Sequence, residues 1–207
     1  MKKRFTIFAL GMMALSTAAF AATTAVNTNT VSPTLQISAT IQSAVQLTLS
    51  TGTAAVTHCP VTATGGAPDF TMDFGTVDAL GINKGNCGNF APTTPGVDNA
   101  VYWSDYNLNP VFTSQTVTAN TITAQVTTDF GAPNNIQVVR DSANSSTVPT
   151  GAASFTPVST ATTDTIVSNA KSGVAETRFI GVFVKPTNGA GTQGAKSATV
   201  TFTLTVQ

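Results

Sequence analysis

The chain has 207 residues, only 9% of them charged, and its nine basic and nine acidic residues leave no net charge. Charged residues usually make up about 25% of a soluble domain, so Thr, Ser, Asn and Gln must supply most of the polar surface. Three of the basic residues, Lys2, Lys3 and Arg4, stand together at the N-terminus. The remaining sequence is slightly acidic and has no basic patch, which argues against a nucleic-acid partner.

The first 21 residues have the three parts of a secretory signal peptide. Met1–Arg4 is positively charged, residues 5–15 are apolar, and Ala19-Phe20-Ala21 is an A-x-A cleavage site. The apolar run is too short to span a bilayer, and no later segment is apolar enough to cross one as a helix. We therefore predict cleavage before Ala22 and export through the periplasm to the medium or the bacterial cell surface.

A polar, threonine-rich leader (residues 22–34) precedes the predicted domain (residues 35–207). The domain opens with LQISATIQSAVQLTLS, residues 35–50, in which apolar and polar side chains alternate. The apolar positions are Leu35, Ile37, Ala39, Ile41, Val45, Leu47 and Leu49. Alternation with a period of two predicts a strand with one wet and one dry face. The predicted strand is long, because an ordinary strand has about 5–6 residues.

About eight strands are predicted, and no segment has a helical period with caps. The seven further segments are 70–74, 101–103, 117–126, 136–139, 165–167, 179–184 and 200–206. Short strands separated by Gly- and Pro-rich turns predict an all-β sandwich or barrel. Aromatic residues are only 7% of the chain, which disfavours an outer-membrane barrel with its aromatic girdles. Residues 179–184 are apolar on both faces, which predicts a central position in a sheet.

Cys59 and Cys87 are the only cysteines. In an exported protein an isolated pair usually forms a disulfide. The bond would close a loop of about 27 residues, worth roughly 3–4 kcal/mol in the loop-entropy model. A metal or redox site is the alternative, but His58 is the sole histidine and does not complete a zinc shell beside one cysteine.

The sequence contains few residues that could act in acid–base or nucleophilic catalysis. There is one histidine, the acidic residues are scattered, and no nucleophile stands near a base. Residues 189–194 (GAGTQG) match G-x-G-x-x-G, but the next predicted element is a strand, whereas a dinucleotide site requires a helix there. We predict no catalytic residues, no metal and no cofactor.

Three segments, taken in order, resemble the bacterial pilin and spore coat protein U families. They are ISATIQSAVQLT (37–48), MDFGTVD (72–78) and SATVTFTLTV (197–206). The resemblance implies an immunoglobulin-like, pilin-like β-sandwich that lacks one strand and receives the N-terminal extension of a neighbouring copy. Those families usually carry a cysteine in the first strand, where Ala44 and Val45 stand here.

The resemblance also implies roles for individual residues. The donor strand would be residues 35–41, which would insert Leu35, Ile37, Ala39 and Ile41 into the next copy. Val45–Leu49 would be the subunit's own first strand, and segments 179–184 and 200–206 would line the acceptor groove. The implied partners are other copies or related subunits, a periplasmic chaperone and an outer-membrane usher.

Two alternatives stay open at this point. Residues 35–49 could form one long, bent strand that passes between the sheets of a self-contained sandwich. The protein could also be a monomeric secreted binding module for carbohydrate or a host surface. That module would use the irregular region 81–110, in which Tyr102, Trp103 and Tyr106 would be the ligand-binding residues. The alternative for the aromatic residues in 101–103, which the sequence favours, is packing in the core or at a sheet edge. The sequence thus predicts a structural subunit of a surface filament (fimbrium) or coat, or else an adhesin, and not an enzyme.

Overall fold

A computed structural model describes six ranges of the chain. They are residues 36–39, 44–92, 100–113, 119–131, 136–185 and 193–207. The predicted signal peptide and leader lie outside these residues, as do Leu35 and Ile41 of the predicted donor strand. The chain divides into two units, residues 1–41 and 42–207. In the first unit residues 36–39 are described, and they are exposed and have no regular secondary structure.

The described part of the second unit contains eleven strands and one short 3-10 helix, Ala152–Ser154. The strands are β1 (Val45–Thr51), β2 (Val61–Ala63), β3 (Phe70–Met72), β4 (Phe90–Pro92), β5 (Ala100–Phe112), β6 (Thr121–Thr128), β7 (Ile136–Asp141), β8 (Phe155–Pro157), β9 (Asp164–Ser168), β10 (Glu176–Val184) and β11 (Thr199–Thr205). The strands beyond the predicted eight are β2, β4 and β8. Each has three residues, which is too short to show a periodic pattern.

Two antiparallel sheets form the sandwich, which confirms the predicted all-β sandwich fold. The large sheet has the order β1-β5-β10-β7-β8, with β4 also paired to β5, and the small sheet has the order β11-β6-β9. A separate ribbon joins β2 to β3. Strand β10 lies between β5 and β7, in the central position predicted from its two apolar faces.

The first strand is shorter than the alternating sequence. Strand β1 begins at Val45, and reciprocal 3.0 Å hydrogen bonds between Ala44 and Thr113 extend its pairing by one residue. The described residues 36–39 belong to no strand. Among described residues, the predicted long N-terminal strand is therefore present only in its second half. Residues 36–39 give no support to a single bent strand over 35–49.

The main core lies between the two sheets. Ile122 and Val126 of β6 and Ile166 of β9 meet Tyr106 and Leu108 of β5, and all five side chains are buried. Removing apolar side chains from water in this layer is the main force that holds the two sheets together.

A second apolar cluster covers the outer face of the large sheet. Side chains alternate along β5, so Val101 and Trp103 point away from the main core. The Trp103 ring packs edge-on against Phe179, with centroids 5.7 Å apart, and against Phe155 at 6.0 Å. The segments around Ala54 and Ala152 complete this cluster. The large sheet is therefore covered on both of its faces.

This double covering corrects one prediction. Apart from the short strand predicted at 101–103, the region 81–110 was predicted to be irregular, but residues 100–112 form the single strand β5, the longest described strand at 13 residues. The polar residues Ser104, Asp105 and Asn107 broke the expected alternation of apolar and polar positions. They are buried in this strand, because both faces of the sheet are covered.

Cys59 and Cys87 form the predicted disulfide, with Cα atoms 4.7 Å apart and both residues buried. Next to it, the buried Asp105 carboxylate accepts a 2.7 Å hydrogen bond from the Ala54 amide and lies 2.5 Å from His58 Nδ1. His58 thus pairs with a carboxylate. Within the described ranges no group of three or more His, Cys, Asp or Glu side chains could hold a metal ion.

Candidate functional site

The two sheets end side by side at one margin of the sandwich, formed by β1 and β11, which we call the open margin. In the described residues β1 forms a ladder of hydrogen bonds only with β5, and β11 only with β6. At the end of β1, the Val61 amide of β2 also donates to Thr51 Oγ1 at 3.0 Å. The two edge strands approach within 8 Å, Cα to Cα, yet they share no ladder of hydrogen bonds. Each therefore offers a row of backbone N–H and C=O groups to a further strand.

On the β11 side of the open margin, core-facing side chains are only half buried. Phe202 and Leu204 are partly exposed, whereas their register partners on β6, Ala124 and Ile122, are buried. Val200 continues the half-exposed row. Since the core-facing side chains of the neighbouring strand β6 are buried, the exposure arises at the margin itself.

The β1 side repeats this gradient. Leu47 and Leu49 face the core but are half buried, and Val45 at the start of the strand is 55% exposed. The partner of Leu49 on β5, Leu108, is completely buried. The open margin therefore carries two parallel rows of incompletely covered aliphatic and aromatic side chains.

Tyr106 lies beneath the open margin. Its ring packs against Phe202 with centroids 5.5 Å apart. Burial raises the pKa of the Tyr106 hydroxyl, and the positive charges of Arg178 and Arg140 offset only part of this rise. The ring therefore stays neutral at any physiological pH and acts as an apolar floor.

At the opposite margin, hydrogen bonds join the small sheet to the large sheet and its connecting segments. Arg178 Nε of β10 donates to the Ile166 carbonyl of β9 at 2.8 Å, and the Val126 amide of β6 donates at 2.9 Å to the carbonyl of Ser159, between β8 and β9. Asn144 Nδ2 also donates to the carbonyl of Thr165 in β9, at 3.0 Å. The sandwich is thus asymmetric, with one margin sealed and one open.

Two of the four predicted donor side chains fall within the described residues. Ile37 is 83% exposed, and Ala39 is exposed as well. Neither belongs to a strand in this structure, so both are free of strand pairing.

The predicted acceptor groove requires a correction. Residues 200–206 do lie at the open margin, but residues 179–184 do not, because β10 has a hydrogen-bonded strand on both sides. The edge that faces β11 is β1. The sequence held a signal for this, since a segment that is apolar on both faces is expected to be central and so has no free edge.

The predicted ligand-binding aromatics also require a correction. Tyr102, Trp103 and Tyr106 are all buried, because β5 is covered on both faces. The Tyr102 hydroxyl donates to the Asp78 carbonyl, and its ring packs against Phe90 at 5.4 Å. These rings belong to the packed interior and do not form an exposed platform for a sugar.

No known protein family, curated protein or solved structure matches this chain. Within the described residues, no helix is long and apolar enough to span a membrane.

Proposed function

We propose that this protein is a secreted, non-enzymatic structural subunit of a bacterial surface filament or coat, whose copies assemble by β-strand exchange. Residues 35–41 of one copy enter the open margin of the next, between β1 and β11. A periplasmic chaperone and an outer-membrane usher are the partners expected for this route.

One observation carries the proposal. Core-facing side chains are partly exposed at the β1–β11 margin, while at the opposite margin hydrogen bonds join the small sheet to the large sheet and its connecting segments. A self-contained sandwich is expected to cover both margins, because partly exposed apolar rows forgo part of the stabilisation that burial gives. Free edges with apolar pockets are the surface that β-strand addition uses.

The segment before β1 has the chemistry to fill this margin. When residues 35–41 are extended, Leu35, Ile37, Ala39 and Ile41 lie on one face, which matches two apolar rows. Burying four such side chains contributes several kcal/mol (about 25 cal/mol per Å² of apolar surface). The cost of ordering the segment reduces this gain.

Insertion also requires the open margin to widen. A strand that pairs with two neighbours separates them by about 9.6 Å, twice the usual spacing, whereas β1 and β11 approach within 8 Å. The two edges would therefore move apart as a strand enters. The energetic cost of this movement is limited, because no ladder of hydrogen bonds between β1 and β11 has to break.

Adjacent substitutions on opposite faces of the donor segment test the proposal. Ile37→Asp places a charge in the row that would be buried, whereas Ser38→Asp places the same charge on the opposite face. We expect Ile37→Asp to abolish filaments or coats in electron micrographs of expressing cells, and Ser38→Asp to leave them. Each copy should still fold in both variants, because Ile37 is 83% exposed within one copy.

Size-exclusion chromatography of the exported protein gives the second measurement. Wild type and Ser38→Asp should elute as polymers, and Ile37→Asp as a folded monomer. A wild-type protein that elutes only as a stable monomer, and stays folded after deletion of residues 22–41, would contradict strand exchange.

A further inference from the structure

A rigid turn projects two aliphatic side chains from the sandwich, and we call it the apolar turn (residues 77–84). The Asp78 carboxylate organises it by accepting hydrogen bonds from the amides of Leu80 (2.8 Å), Ile82 (3.2 Å) and Asn83 (2.6 Å). The Asn83 side chain adds another at 2.9 Å. One carboxylate thus fixes the backbone on both sides of the tip.

The apolar turn is also fixed to the sheet behind it. The Tyr102 hydroxyl donates to the Asp78 carbonyl, and Val77 pairs with Lys84 at the base of the turn. Gly81 has a positive φ of 76°, and a Cβ atom there would overlap the Phe90 ring. The tip is therefore packed directly against the protein.

This fixed turn leaves apolar surface in water. Leu80 is 61% exposed and Ile82 is 76% exposed. Single exposed apolar residues are common, but two on one preordered turn resemble the preorganised anchors that dominate protein interfaces. Preordering lowers the entropy cost of binding.

The same molecule carries a cavity that matches these side chains. It has a volume of about 210 Å³ and is partly open to solvent. Its lining is mostly apolar and consists of Val101, Val139, Ala152, Phe155, Pro157 and Phe183 together with the polar Gln137. An apolar cavity of ~150 Å³ admits a benzene-sized group, so this one has room for a branched aliphatic side chain.

The apolar turn and the cavity lie on opposite faces of the large sheet. The turn packs on Tyr102, whereas the cavity is lined by Val101, and neighbouring residues of a strand point to opposite faces. When a projection and its matching cavity occupy different surfaces of one molecule, the contact between copies is head-to-tail and generates either a closed ring or an open series.

We propose that the apolar turn of one copy docks into this cavity of a second copy, with Ile82 or Leu80 as the inserted side chain. The contact goes beyond strand exchange, because it uses neither residues 35–41 nor the open margin. It would supply a second subunit contact, which fixes how successive copies pack.

Photo-crosslinking of the full chain tests this contact. Ile82 is replaced by a photoreactive benzophenone amino acid, and ¹⁴N- and ¹⁵N-labelled proteins are mixed so that crosslinks between copies are recognised by mass. We expect crosslinks to Ala152, Phe155 or Pro157 of the other copy. They should persist in an Ile37→Asp background, which separates this proposal from strand exchange.

A cavity-filling variant is the second arm. Ala152→Trp should reduce the crosslinked dimer by about tenfold or more, since a filled cavity no longer gains from burying Ile82. Val174→Asp is the matched control, because it alters another exposed aliphatic residue. The neighbouring Gly173 is hydrogen-bonded to Pro110, near the end of β5 that is distant from Val101 and Tyr102. This control should leave the crosslinking yield unchanged. Crosslinks that map outside the cavity, that form only within one copy, or that survive Ala152→Trp would overturn the proposal. If Ala152→Trp does not fold, the crosslink map of the otherwise wild-type chain decides alone.

Discussion

A buried carboxylate, Asp105, holds the segment before β2 against the outer face of the large sheet. It accepts a hydrogen bond from the Ala54 amide and contacts His58, and Gly52 packs so closely that a Cβ atom there would overlap the carboxylate. The same segment continues into Cys59, whose amide donates to Ser104 Oγ at 2.9 Å. Asp105 and the disulfide therefore fix one segment together.

Asp105→Ala should lower the free energy of unfolding by about 1.5–3 kcal/mol, because it removes a charged hydrogen-bond acceptor and leaves buried donors without it. Urea unfolding of the variant and of wild type measures the change. Asp69→Ala, at an exposed position, should stay within about 0.5 kcal/mol of wild type. Equal effects of the two substitutions would show that Asp105 has no structural role.

Asp78 makes the apolar turn sensitive to acid. Partial burial alone would raise the pKa of its carboxyl, but the hydrogen bonds from Asn83, Leu80 and Ile82 outweigh that and hold the pKa below the ordinary value of 3.8. Because the pKa is lower in the folded state, the carboxylate stabilises the turn above pH 3.8. This contribution is lost as the pH falls through the lowered pKa.

Amide hydrogen exchange of Asn83 across this pH range tests the prediction. We expect protection at pH 5 and its progressive loss below pH 3.8, after correction for the intrinsic rate. Asp78→Asn should remove the pH dependence. A carboxyl pKa above 3.8, measured by NMR titration, would be inconsistent with the hydrogen-bonded turn.

At the scale of elements, burial across the small sheet falls from β9 and β6 to β11. Ile122 on β6 and Leu204 on β11 are register partners on the same face, yet only Ile122 is fully buried. Both side chains belong to one apolar layer, so the greater exposure of Leu204 shows that this layer is less completely covered at the open margin.

Truncation of this matched pair should show the gradient. Ile122→Ala should cost about 2–5 kcal/mol of unfolding free energy, and Leu204→Ala roughly half as much in the unassembled protein, because it loses less buried area. Chemical denaturation of Ile37→Asp protein carrying each substitution gives the comparison. Equal costs would mean that the margin is already covered within one copy.

The sequence pattern predicted a strand well when only one of its faces is covered, and poorly when both faces are covered. Alternation located β11 and the second half of the first strand, because each has one wet face. It failed for β5, where buried Ser104 and Asp105 interrupt the pattern. The sequence predicted that β11 lines the proposed groove but did not predict that β1 lies opposite it, since the approach of two edge strands depends on contacts that are distant along the chain. The apolar turn had no periodic signal at all.

At the scale of the whole molecule, the described part of residues 42–207 is a sandwich with one sealed margin and one open margin. The disulfide, Asp105 and the second apolar cluster stabilise the outer face of the large sheet and leave the open margin untouched. Under the proposed strand exchange, stability and assembly would therefore be supported by different parts of the molecule, and a copy could fold before it binds its neighbour.

Residue-resolved hydrogen exchange of β11 tests the account most directly, with assembled wild type compared against monomeric Ile37→Asp protein. Alternate amides of Thr199–Thr205 point away from β6, and a donor strand would protect them. We predict that these amides exchange rapidly in the monomer and become protected by at least about 100-fold in the assembly, while the amides paired with β6 change little. Protection that is already present in the monomer, or that does not rise on assembly, would contradict strand exchange at the open margin.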